Sequence, residues 1–462
     1  MTVGRSAART SGRLLWVLGF LLTPGPLLAQ GINQSEPLTV HPRQSLTTIQ
    51  RSFALPTWGE ATLPDRPREA LPETMPAFFR DSTLKADLRT YYRDKVTTGT
   101  QPASVAEAWA IGGALSWESG KLFERLHGGV TLYTSLPLYA PEAYGNTGLL
   151  LPNQSGFAVV GQLYGQLELP FEHTATAGRY AWDTPYIGRQ DNRMVPNTFY
   201  GYTVLRVHED KARDLSFRYG GGYIAAIKQR DADTFVPMAQ AAGVTVDRGT
   251  AAGGGVLTWG PVSIGAFEYY TQDILNILYA EGSYGVEVWP EAEAILSAQF
   301  ADQRATGANL LTGSYFATNQ LGVRLQVGSD PVMFTAAFSQ VGAGAAMQNP
   351  WSNNPFYTDG LALDYQRAGE GALLLGGTAN LRHVGLPGVT VQLQFFDGWT
   401  SAAPGGPLVE SEWDVTVDWR PQIMLPGLWF RFAYGVSQTW QGSSYTRNSE
   451  ARAILNYRVR VF

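Results

Sequence analysis

The chain has 462 residues, of which 44% are hydrophobic, 12% aromatic and only 16% charged, with a formal charge of −5 and no Cys. So few charges suit a soluble surface poorly, the missing Cys excludes disulfides and thiolate metal sites, and the acidic balance gives nucleic acid no electrostatic footing. Length alone suggests about three domains, a prior that one closed β-barrel overrides because a single sheet can absorb hundreds of residues.

Arg5, Arg9 and Arg13 precede the apolar run Leu14 to Leu22, then Pro24, Pro26 and Leu27-Leu28-Ala29-Gln30. This is the pattern of a secretory signal cut after Ala29; the run is about half the ~20 apolar residues of a membrane anchor. Losing residues 1–29, which hold three Arg and no acid, takes the formal charge from −5 to −8. No later stretch reads as a transmembrane helix, and an envelope protein without such helices spans a membrane only as a closed barrel. Residues 30–77 are aperiodic and Pro-rich, with Pro37, Pro42, Pro56, Pro64, Pro67, Pro72 and Pro76. They read as an extended periplasmic leader, with a plug or docking segment as the functional alternative.

From residue 78 to 462 the pattern becomes that of strands. Leu84, Ala86, Leu88, Thr90 and Tyr92 alternate with Lys85, Asp87, Arg89, Tyr91 and Arg93, so a strand puts every charge on one face and leaves the other for lipid. Trp109, Ile111, Gly113, Leu115 and Trp117 repeat the row with an aromatic at each end, as an interfacial girdle requires. The same alternation returns at Leu126 to Tyr133, Val159 to Glu168, Gln320 to Val327, Val389 to Phe395, Glu412 to Trp419, Leu428 to Tyr434 and Ala451 to Val461. The faces are ambiguous around 249–270 and 292–301. The expected fold is all-β: a transmembrane antiparallel up-and-down barrel of about 18 strands.

Connection lengths favour this over a soluble sandwich. Tight turns near Ser119, Pro170, Gly260 and Gly328 alternate with long segments near 135–156, 183–197, 229–248, 302–319 and 340–369, the short-periplasmic, long-external rhythm of outer-membrane barrels. The link at Gln272-Asp273 is too short for a long loop and suggests a misplaced strand boundary there.

Phe78-Phe79-Arg80-Asp81-Ser82, leading into Leu88-Arg89-Thr90-Tyr91-Tyr92, resembles the first strand of the OprD family of outer-membrane porins. Asp191-Asn192-Arg193-Met194-Val195-Pro196-Asn197-Thr198-Phe199-Tyr200-Gly201 resembles that family's motif after the third external loop, with Asn197 where Gln is more usual. The resemblance implies an 18-stranded barrel in the bacterial outer membrane, a pore constricted by an inward-folded third loop, and passive uptake of small, often carboxylate-bearing solutes. It permits a monomer or a weak homotrimer.

In a closed barrel the last strand pairs with the first, which sets Arg452, Arg458 and Arg460 beside Lys85, Arg89 and Arg93. Arg431 and Arg420 lie one and two strands further round. These eight cations form an expected basic track down the lumen, able to pass a carboxylate between guanidinium contacts. The competing reading is that they solvate the lumen and pair with Asp87, Asp414 and Asp418. In the loop, Asp183, Tyr186, Arg189, Asp191 and Arg193 are the constriction candidates, or else pins holding the loop to the wall. Of five His, none stands in a metal or nucleophile motif, so no enzyme activity and no cofactor is expected. The expected partners are outer-membrane lipid and small solutes. A general cation-preferring porin and a structural barrel with an occluded lumen are the alternatives.

Overall fold

Because alternate residues of a strand point to opposite sides, a wall with lipid outside and polar contents inside inverts the usual core. The computed structural model, which describes residues 37–40, 61–62, 74–401, 403, 406–421 and 424–462, shows this inversion. Leu321, Val323 and Leu325 are exposed, whereas Gln320, Arg324 and Gln326 between them are buried. Trp109, Trp259, Trp289, Trp413 and Trp419 stand exposed on the outer surface, the aromatic girdle of a membrane barrel. Among the described residues no helix is long and apolar enough to cross a membrane; the crossing is made by strands.

The wall has 18 antiparallel strands: β1 Thr83–Gly99, β2 Ser104–Glu118, β3 Leu126–Tyr139, β4 Phe157–Leu169, β5 His173–Tyr180, β6 Thr198–Asp210, β7 Leu215–Lys228, β8 Thr250–Trp259 and β9 Val262–Thr271 in the first half. The second half comprises β10 Leu275–Trp289, β11 Ala292–Ala305, β12 Ala317–Ser329, β13 Val332–Val341, β14 Gly371–Asn380, β15 Val389–Thr400, β16 Leu408–Trp419, β17 Leu428–Gln441 and β18 Ser444–Arg460. Each strand pairs with its sequence neighbour, and β18 pairs with β1 from Lys85↔Arg460 to Gly99↔Thr446, so no open edge remains. The ambiguous stretches resolve into antiparallel ladders, β8 against β9 and β10 against β11, the second with a register shift between Glu287 and Trp289. Gly254 is required there: a Cβ would sit 2.5 Å from the Phe267 ring and 2.3 Å from the Ala266 carbonyl oxygen.

The Gln272-Asp273 expectation is corrected. β9 and β10 are both full strands joined by a three-residue turn on the long-loop rim, with Ile274 N–H donating to Thr271 O. A closed ladder needs only that neighbouring strands meet, so one rim can carry loops of very unequal length.

Three long loops, 181–197, 229–249 and 342–370, fold into the barrel. Tyr186 and Ile187 of the first, Met238 of the second and Trp351 and Phe356 of the third pack with Tyr269 and Tyr279 of the wall into one buried cluster. Ile187 bridges Ser352, Asn353 donates to Thr184 O and Pro185 O, and Trp351 donates to Met238 O. The packed rings and the bonded amides hold the three loops to one another and to the inner wall. Residues 1–29 lie outside the described residues, and of the leader only 37–40, 61–62 and 74–77 are described.

Candidate pore and constriction

The seam between β18 and β1 fixes the positions of six of the expected cations. Its register sets Lys85 opposite Arg460, Asp87 opposite Arg458, Arg89 opposite Asn456 and Arg93 opposite Arg452, all on the inner face. Most of these cations are held by acids. Arg458 Nε lies 2.5 Å from Asp87, Arg93 Nε 2.7 Å from Glu450, and Arg452 Nε 2.5 Å from the same Glu450. Arg431 grips Asp418 with two parallel bonds of 2.7 and 2.8 Å, and its guanidinium stacks 4.8 Å from the Trp429 ring. Arg420 donates to Leu38 O. Among the described residues Lys85 has no ion-pair partner.

The 181–197 loop reaches this seam through Arg89. Its guanidinium donates to both oxygens of Asp191 at 2.6 and 3.2 Å, to Arg193 O at 2.5 Å and to Asn456 Oδ1 at 2.7 Å, tying loop, β1 and β18 together. Within the loop Arg189 pairs with Asp183 at 2.9 Å. Burial opposes the Arg189 cation, but the Asp183 carboxylate outweighs it and raises its pKa. Arg193 is different: burial and the nearby Arg93, Arg452 and Arg230 push its pKa well below the ordinary range. Tyr186 is only 1% exposed and packs edge-on to Tyr269, Tyr279 and Phe356, so its ring anchors the loop on the wall.

Between the loop and the wall of β1 to β5 lies a cavity of about 230 Å³. Lys85, Arg89, Arg189 and Arg458 line it against Asp87, Glu118 and Asp191, with the tyrosines Tyr133, Tyr164 and Tyr180 on its flank. The cavity is therefore polar, mildly basic and aromatic on one side, wide enough for a small organic ion. Arg93, Arg420, Arg431, Arg452 and Arg460 are not part of its lining.

Sequence reading missed Arg230, whose guanidinium holds Gln190 Oε1 at 2.7 Å and Asn192 Oδ1 at 2.6 Å, and Lys228, whose ammonium donates to Pro196 O at 2.9 Å. Both sit where β7 runs out into a loop, and only their closeness to the strand end could have flagged them. It named Asp414 only as a partner for the arginines and passed over Glu412 as an anchor. Glu412 accepts backbone N–H groups of Ala362 and Leu363, and Asp414 that of Leu361, pinning the 342–370 loop to β16.

At the end of that loop, burial and the adjoining charge of Glu410 raise the pKa of Glu370 to about 7. A carboxyl with a raised pKa is neutral below it and anionic above it, so the lumen gains a negative charge as pH rises through about 6 to 8. Cation preference should accordingly step up over that window in reversal-potential measurements, and Glu370→Gln should abolish the step.

No curated protein sequence matches the chain. Solved structures with the same fold include Pseudomonas aeruginosa OpdK with vanillate, at TM-score 0.72 and 17% identity, covering 83% of this chain and 100% of that one. P. aeruginosa OccK9 (OpdG) aligns with TM-score 0.72 and 21% identity, and a BenF-like porin from Pseudomonas fluorescens Pf-5 with 0.72 and 18%, each over 83% of this chain and 100% of its own. The family model for outer membrane porins of the OprD family matches residues 76–461, the whole of the wall. With that match over the whole of a closed barrel, the chain belongs to the OprD family and is an outer-membrane porin through which small solutes pass.

Proposed function

We propose that this porin favours small carboxylate-bearing solutes, taken up down their gradient past the third loop at residues 181–197. The observation that carries the reading is the cavity beside that loop, in which Lys85 has no ion-pair partner among the described residues and Arg89, Arg189 and Arg458 approach the same space. An ammonium without a fixed partner is free to meet a passing anion, and contacts that form and break in series allow conduction. The tyrosine flank suits a planar or aromatic body behind the carboxylate; one structural relative is described with vanillate, an aromatic carboxylate.

The track is shorter on this reading than the eight cations expected from sequence. Lys85 and Arg458 act on the solute, Arg89 ties the loop to the seam beside them, Arg460 stands beside Lys85 at the exit, and Asp183, Arg189, Asp191 and Arg193 shape the constriction with Tyr186 as its anchor. Arg93, Arg452, Arg431 and Arg420 hold the wall and its neighbours. A cation-preferring porin is the second reading, favoured by the buried acids Glu410, Glu412 and Asp414 on β16.

The deciding experiment measures reversal potential across a salt gradient, and block by benzoate, for the refolded protein and Lys85→Glu in planar bilayers. Inverting that charge should weaken carboxylate block roughly tenfold, the scale of one charge-assisted contact. Equal block in both proteins, with current carried mainly by cations, would favour the second reading.

A further inference from the structure

Two of the tyrosines that flank the cavity lie back against glycines of the wall. Gly129 of β3 stands directly opposite Tyr164 of β4 and is buried. A Cβ on Gly129 would meet the Tyr164 hydroxyl oxygen at 2.7 Å and the nearest ring carbon at 2.9 Å, well inside the ~3.5 Å at which such atoms pack. The second case lies one turn of the pleat away. Gly161 is the extra residue of a bulge in β4, where Thr131 pairs with Gln162 but Leu132 pairs with Val160. A Cβ on Gly161 would strike the Tyr133 ring at 2.6 and 2.8 Å.

Neither glycine has a positive φ, so the backbone at both positions would accept any residue; the tyrosine ring is what leaves no room for a side chain. Each ring is also braced on its other side. Tyr164 meets Tyr180 edge-on with centroids 4.7 Å apart, and Gln162 donates to the Tyr133 hydroxyl at 2.8 Å. A ring pushed off its glycine is therefore displaced into the cavity that it already lines. An aromatic lying over a cross-strand glycine can also serve stability alone. That role would leave the choice of solute untouched, which makes the two separable.

We infer that Gly129 and Gly161 are specificity-determining positions of this porin. By letting Tyr164 and Tyr133 lie back against the wall they set the width of the cavity, and so the largest organic body that passes beside Lys85 and Arg458. The cations act on the charge of a solute, whereas the two glycine–tyrosine pairs act on its bulk. The inference rests on the reading that solutes pass through this cavity, but not on the sign of their charge.

Relative permeabilities from reversal potentials in planar bilayers test it, with folding checked by heat-modifiable gel migration. The probes are one anion pair, benzoate against acetate, and one cation pair, tetraethylammonium against potassium. Gly129→Ala should lower passage of the bulky ion relative to the small one about tenfold, the scale on which one methyl group changes discrimination in a filled pocket. Tyr164→Leu removes the ring without crowding the wall and should raise the same ratio. Adding Gly129→Ala to Tyr164→Leu should change nothing further, because the methyl group then has no ring to displace. A folded Gly129→Ala channel with wild-type ratios in both pairs would overturn the inference, as would Tyr164→Leu without a gain for the bulky ions, or a Gly129→Ala effect that persists once the ring is gone. Failure of the carboxylate preference looks different: acetate would pass far less readily than potassium in the wild type, while the tetraethylammonium ratio would still follow the Gly129 and Tyr164 variants and so support the gauge.

Discussion

Arg431→Ala is expected to lower the temperature at which the barrel loses its folded gel migration by far more than Arg458→Ala does, although both remove one guanidinium from the same inner wall. Arg431 and Asp418 are 1% and 0% exposed and share two short bonds. Truncating one partner strands a buried carboxylate, which costs about 3–5 kcal/mol. Arg458 and Asp87 are 21% and 37% exposed, and breaking a solvated pair of that kind costs about 0–1 kcal/mol. On solute passage the order should reverse, because Arg458 lines the cavity and Arg431 does not. The double variant Arg431→Met/Asp418→Leu should recover most of the lost stability, since an apolar pair of similar volume replaces a buried ion pair at little cost. Equal loss of stability from the two single variants would show that both arginines are solvated lumen charges.

This unequal behaviour marks where sequence alone stops. Period-two alternation made nine of the 18 strands of the wall plainly legible, because lipid on one side and polar contents on the other sort residues as strictly as any core. It also gave the inner face of Lys85, Asp87, Arg89 and Arg93, and closure then placed Arg452, Arg458 and Arg460 beside them. What alternation cannot give is the partner of each charge. Asp87 and Arg458 are 371 residues apart, Arg89 and Asp191 are 102 apart, and Arg93 and Glu450 are 357 apart. Glu450 passed unremarked because it looks like any lumen acid until the barrel closes. The loop packing was hidden for a similar reason. Its anchors, Tyr186, Met238, Trp351 and Phe356, come from three loops without periodicity and pack only once the wall has brought them together. The leader offered Pro and no pattern, yet Leu38 and Val40 are among its few aliphatic residues and are buried.

Arg89→Ala should give the largest change in channel behaviour, and its form separates two roles for that residue. The Arg89 side chain joins Asp191, Arg193 O and Asn456, so it holds the loop to the seam while also facing the cavity. If holding dominates, truncation removes charge-assisted bonds worth about 2–3 kcal/mol in sum, enough to raise the released-loop population roughly 30- to 140-fold. Single-channel records should then show frequent excursions to higher conductance, and the 181–197 loop should become open to proteolysis from the external side. If contact with the solute dominates, traces should stay quiet and only carboxylate block should weaken. Arg89→Lys divides the two further: an ammonium keeps the charge but cannot present the planar fork that spans both Asp191 oxygens. The geometry favours holding, because four bonds already occupy the guanidinium, so Arg89→Lys should be noisy although its charge is intact. A quiet Arg89→Lys channel with near wild-type block would instead make Arg89 a point charge on the solute's path. The loop would then be kept in place by Tyr186 and the Arg189–Asp183 pair.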